Sequence, residues 1–152
     1  MIPPLIIRQA ERLGIDLIAI TDHNASANVS AVIAAAQESS VRVLPGMELQ
    51  TLEEVHMLCL LDSLLASNAF QIEVDQRLPE TPNNPEYFGE QFVVDDTGEF
   101  IRREDRLLLS SANMAGSNLT GNYFGGIERE GLATLLLAPI DGRLAWLSAN
   151  LS

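Results

Sequence analysis

Hydrophobic and polar positions follow two different periods along the first sixty residues. Across residues 3–13, Leu5, Ile6, Ala10 and Leu13 recur near helical spacing, and Arg8, Glu11 and Arg12 fill the rest of the wheel. Pro3 and Pro4 suit the first turn of that helix, and Gly14 suits its C-terminal stop. Residues 15–20 form a short apolar run rich in β-branched side chains. That run predicts a buried parallel strand, ending abruptly at Thr21-Asp22-His23-Asn24. A second helix is predicted over 28–39, with Asn28 or Ser30 as its cap and Val32, Ile33, Ala35 and Ala36 as its apolar surface. Val41-Arg42-Val43-Leu44 reads as a second strand, followed by Pro45-Gly46-Met47-Glu48-Leu49, and residues 54–61 read as a third.

The order helix, strand, helix, strand, strand argues for a mostly parallel α/β sheet or barrel. Beyond residue 62 the periodicity weakens. Residues 63–75 read as a further helix, and 76–89, which hold three prolines, as a long loop. Residues 92–101 predict a β-hairpin with its turn at 96–98. Residues 110–126 are rich in Ser, Asn and Gly without a period, and 132–140 form a last apolar run with strand character. There is no internal repeat, no heptad pattern and no boundary between two independent domains.

Composition narrows the picture. With 152 residues, 47% hydrophobic and 20% charged, the chain can bury one ordinary core, and an aromatic share of 5% makes that core aliphatic. Asp and Glu number 21 against 9 basic residues, a formal charge of −12. A field of that sign repels nucleic-acid backbones, so long nucleic acid is not an expected partner. Small phosphorylated substrates stay compatible, because bound divalent cations reverse the local sign. The one cysteine, Cys59, sits in an apolar run and reads as a buried, inert thiol. No basic leader opens the chain and no apolar run approaches the length of a membrane span, so a cytoplasmic location is expected.

The two histidines occupy suggestive places. His23 follows a predicted buried strand directly, where parallel α/β folds build their sites, and Asp22 beside it could orient a ligand. The same pair could simply cap the next helix. Glu48 follows the second strand after Gly46, and a carboxylate there can bridge metal ions; for a lone Glu the plainer reading, an N-capping or solvated carboxylate, prevails. His56 lies among apolar neighbours, as a core histidine would, and gains interest from the company of His23 and Glu48.

The segments IAITDHN (residues 18–24) and LPGMELQTLEEVHMLCLL (44–61) resemble, in order and spacing, the second and third sequence blocks of the PHP (polymerase and histidinol phosphatase) family. Residues 76–114 are similar to a segment inserted in one bacterial branch of that family. The resemblance implies a single PHP-like domain over 1–152, a partial distorted (β/α)7 TIM-like barrel, with 76–130 as an inserted or irregular region. It implies a metal-dependent phosphoesterase acting on a small phosphorylated metabolite or nucleotide. It further implies that His23 binds one divalent ion of a cluster, zinc or manganese. Glu48 would bridge two ions, His56 would join it on one, and Asp22 would support the site.

The chain also departs from the family pattern. The opening His-x-His strand has no counterpart, so the reading frame is expected to start upstream of Met1. Ala138-Pro139-Ile140-Asp141-Gly142-Arg143 carries Pro139 where the family has a histidine, and the closing Asp-x-His block is missing before Ser152. Three ligands are then left for a cluster, and weak activity is expected of this polypeptide. The alternative is an inactive remnant or a binding module on the same scaffold.

Overall fold

The computed structural model describes residues 2–52 and 54–114. The expectations for 115–130, 132–140 and 138–143 lie outside the described residues. Helix α1 (Pro3–Arg12) starts on its two prolines and buries Ile7 and Ala10. It ends in a Schellman arrangement: Gly14, at φ 67°, donates to Glu11 O, and Ile15 donates to Ala10 O. Strand β1 (Leu17–Ile20) then leads through α2 (Val29–Ala35) to β2 (Arg42–Gln50), which pairs parallel with β1, as a crossover helix requires.

Strand β3 (His56–Leu60) pairs antiparallel with the second half of β2. The sequence pattern favoured mostly parallel pairing; here one of the two pairings is parallel. The reason is length. A parallel return needs a crossover of about a dozen residues, and only the short link from Thr51 to Val55 joins the two strands, closed by Thr51 N donating to Val55 O. The sheet order is β1-β2-β3, an open three-stranded sheet, and the described residues form no closed barrel.

Alternation along β2 sorts the two faces. Val41 and Val43 point into one apolar cluster with Ile7, Val29 and Val32, and Met47 and Leu49 into a second with Phe70 and Val74 of α3 (Leu64–Asp75). Helices α1, α2 and α3 thus cover one face of the sheet. Glu48 and Gln50 project from the other. At Pro45-Gly46 the strand gains β3 along its second edge. There a side chain on Gly46 would come within 3.0 Å of Cys59 O, Thr21 Cγ2 and Ile20 O, so only glycine lets the neighbouring strands close on β2.

After α3, a short helix α4 (Pro85–Phe88) precedes the hairpin β4 (Phe92–Val94) and β5 (Phe100–Arg103), turned where the sequence places it. Asp95 Oδ1 accepts from Thr97 N, Thr97 Oγ1 and Glu99 N, and Gly98 takes the left-handed position at φ 92°. Asn28 occupies the N-cap position of α2, yet its side chain does not cap. It clamps β4 instead, donating to Phe92 O and accepting from Val94 N. A two-stranded hairpin is marginal alone, and this clamp ties it to the start of α2. No helix among the described residues is long and apolar enough to cross a membrane.

Burial of Cys59 has a measurable consequence. It pushes the thiol up from 9.0 to about 11. The folded state therefore holds a proton that the unfolded state releases, and stability, full below pH 9, should fall as pH rises from about 9 to 11. The loss amounts to roughly 2 to 3 kcal/mol at most. All nine basic side chains are arginines, so no lysine titrates in that window. Urea denaturation from pH 8 to 11 should show the decline in the native chain and a flatter profile in Cys59→Ala. A matching decline in Cys59→Ala would assign it to another group.

Candidate metal centre

The line of β1 does not end at Ile20. After a break at Thr21 it resumes against β2 in the same register: Glu48 N donates to Asp22 O, and Asn24 N donates to Glu48 O. This bridge pairs His23 with Glu48, and paired residues of neighbouring strands project to the same side. Across the other edge of β2, Gln50 pairs with His56. His23, Glu48, Gln50 and His56 therefore share the face of the sheet that the helices leave open.

His56 Nδ1 lies 2.8 Å from Glu48 Oε1, a hydrogen bond. His23 Nδ1 lies 3.8 Å from Glu48 Oε2, too far for one. The two imidazole rings meet edge to face, with centroids 5.1 Å apart. Side-chain exposure is 16% for His23, 25% for Glu48 and 38% for His56, so the group is sheltered but open to solvent. One ligand atom from each of the three lies within 4.8 Å of the others. Atoms sharing a tetrahedral ion at bond lengths of about 2.0–2.1 Å stand roughly 3.3–3.5 Å apart. The donors fit an ion with movements of about an ångström, well within side-chain rotation.

Asp22 supports this arrangement through its backbone carbonyl, which accepts from Glu48 N. Desolvation by the surrounding protein raises its carboxyl above the ordinary value, and Asn28 opposes this. Asp22 and His23 line one end of a cleft of about 280 Å³, with Gln71, Phe92, Arg102 and Arg106 among its other walls. The arginines carry counterions, Arg102 pairing with Glu104 and Arg106 with Asp75.

Two residues of the site gave little signal in the sequence. Asn24, fully buried at φ 50°, donates its side-chain amide to Leu108 O and Ser110 O and accepts from Gln50 N. It fills the gap where β1 leaves the edge of β2 and residue 112 takes over, pairing beside Thr51. Gln50 places its carboxamide oxygen 2.7 Å from His23 Nε2. Its phase with Glu48, two residues apart on one strand, was the only available hint. Comparison with protein families, curated proteins and solved structures gives no match.

Proposed function

We propose that this chain carries the metal-binding core of a PHP-type phosphoesterase, directed at phosphate esters of a small metabolite or nucleotide. The observation that carries this reading is the convergence of His23, Glu48 and His56 on one open sheet face. Two imidazoles and a carboxylate suit zinc or manganese. When bound, such an ion lowers the pKa of a coordinated water and draws charge from phosphoryl oxygens.

The chain's own residues do the rest. Glu48 sets a negative charge between the two imidazoles, and the bridge from Asp22 O fixes its backbone. The adjoining cleft has the size of a small substrate. Arg102 and Arg106 border it, and a phosphate would compete for them with their carboxylate partners Glu104 and Asp75. Three donors are few for a multi-ion cluster, so turnover by this polypeptide should be slow.

Metal analysis tests the reading. After dialysis against zinc or manganese and removal of the excess, the purified chain should retain about one ion. It should hydrolyse a small aryl phosphate slowly, and not at all after chelation. Retained metal with no hydrolysis would favour a binding module. No retained metal would favour a scaffold that has lost its site.

A further inference from the structure

We infer that Gln50 is a positioning residue that selects the ligand nitrogen of His23. The inference rests on the metal-centre reading above and adds to it a residue outside the three donors. A neutral imidazole carries one N–H and one lone pair, and only the lone pair binds a cation. Gln50 Oε1 lies 2.7 Å from His23 Nε2, and a carbonyl oxygen can only accept. Nε2 therefore carries the proton. The lone pair falls on Nδ1, the nitrogen that stands 3.8 Å from Glu48 Oε2 with no hydrogen bond between them. Proton and lone pair are thus sorted before any ion arrives, with the free electrons on the side of the carboxylate.

Gln50 is itself held on both flanks. Its N–H donates to Asn24 Oδ1 at 3.0 Å, and its carbonyl accepts from Ala112 N at 2.9 Å. The side chain stands on the same face as Glu48 and opposite His56 across the strand pair. A hydrogen-bond partner on the far nitrogen of a ligating histidine fixes the tautomer and the ring plane, and removing one lowers metal affinity by about 10- to 100-fold.

The experiment has two readouts. Nitrogen-15 NMR of the histidine rings, recorded without metal above the ordinary imidazole titration range, reports the tautomer. Zinc titration reports affinity. The native chain should show His23 protonated at Nε2. Gln50→Leu should show a mixture of tautomers and bind zinc about 10- to 100-fold more weakly. Gln50→Glu, whose carboxylate still accepts, should keep the native tautomer and bind zinc at least as tightly. An Nδ1-protonated His23 in the native chain, or native zinc affinity in Gln50→Leu, would overturn the inference and leave the metal centre standing. Absence of zinc binding in the native chain would sink the metal reading and the role of Gln50 with it, whatever the tautomer.

Discussion

Asn24→Asp is expected to destabilise this protein by about 2–4 kcal/mol, although it changes a single amide to a carboxylate. The Asn24 amide nitrogen sits 2.8 Å from Leu108 O and 2.6 Å from Ser110 O. An aspartate turns that donor into a third acceptor, so two carbonyls lose their partner and face a negative charge in a fully buried position. The other oxygen still accepts from Gln50 N, so the defect falls on the attachment of residues 107–113 rather than on β2. Domains of this size are stable by only about 5–15 kcal/mol, so the loss is a large fraction of the total. Urea denaturation should show a lower midpoint, and hydrogen exchange should show lost protection first at Ala112 and Asn113, whose N–H groups donate to Gln50 O and Arg77 O. A change below about 1 kcal/mol would mean that this segment is held by its apolar contacts, Ala112 among them, rather than by Asn24.

The contrast between Asn24 and its neighbours shows what the sequence could reveal. β1 declares itself as a β-branched run, and His23 falls just after it, where chemistry is commonly built; Glu48, expected beyond a strand over 41–44, lies inside β2, because the strand runs on through Pro45-Gly46 to Gln50 once β3 pairs along it. Ser63 in front of an apolar stretch signals the start of α3, and its hydroxyl accepts from Ala66 N. Such signals are local, and local geometry answers to them. Asn24 and Asn28 also sit in sequence contexts typical of turns and caps, but their amides serve partners 64 to 86 residues away. No periodicity encodes a partner at that separation. The same holds for Gln50, an ordinary polar position on a strand until the register places it beside His23. The direction of β3 was legible in principle. The link after β2 is too short for a crossover, but an apolar run reads alike in parallel and antiparallel pairing.

Glu48→Gln should separate the proposed centre from the general acidity of the chain. With 21 Asp and Glu, the surface attracts divalent cations wherever carboxylates gather, and bulk binding alone would not locate a site. The substituted amide keeps the size of the side chain and can still accept from His56 Nδ1, so folding stability without metal should change by less than about 1 kcal/mol. What is lost is the charge between the two imidazoles. In the native chain, zinc at a hundred times its dissociation constant should stabilise the fold by about 2.7 kcal/mol, a rise of roughly 5–11 °C in Tm for a domain of this size. In Glu48→Gln that rise should nearly vanish, while any binding by surface carboxylates persists at its weak, salt-sensitive level. His56→Ala should lose part of the rise, because His23 and Glu48 remain together. If Glu48→Gln keeps the full thermal shift, the ion is held elsewhere, and the three residues form a hydrogen-bonded cluster whose role is structural.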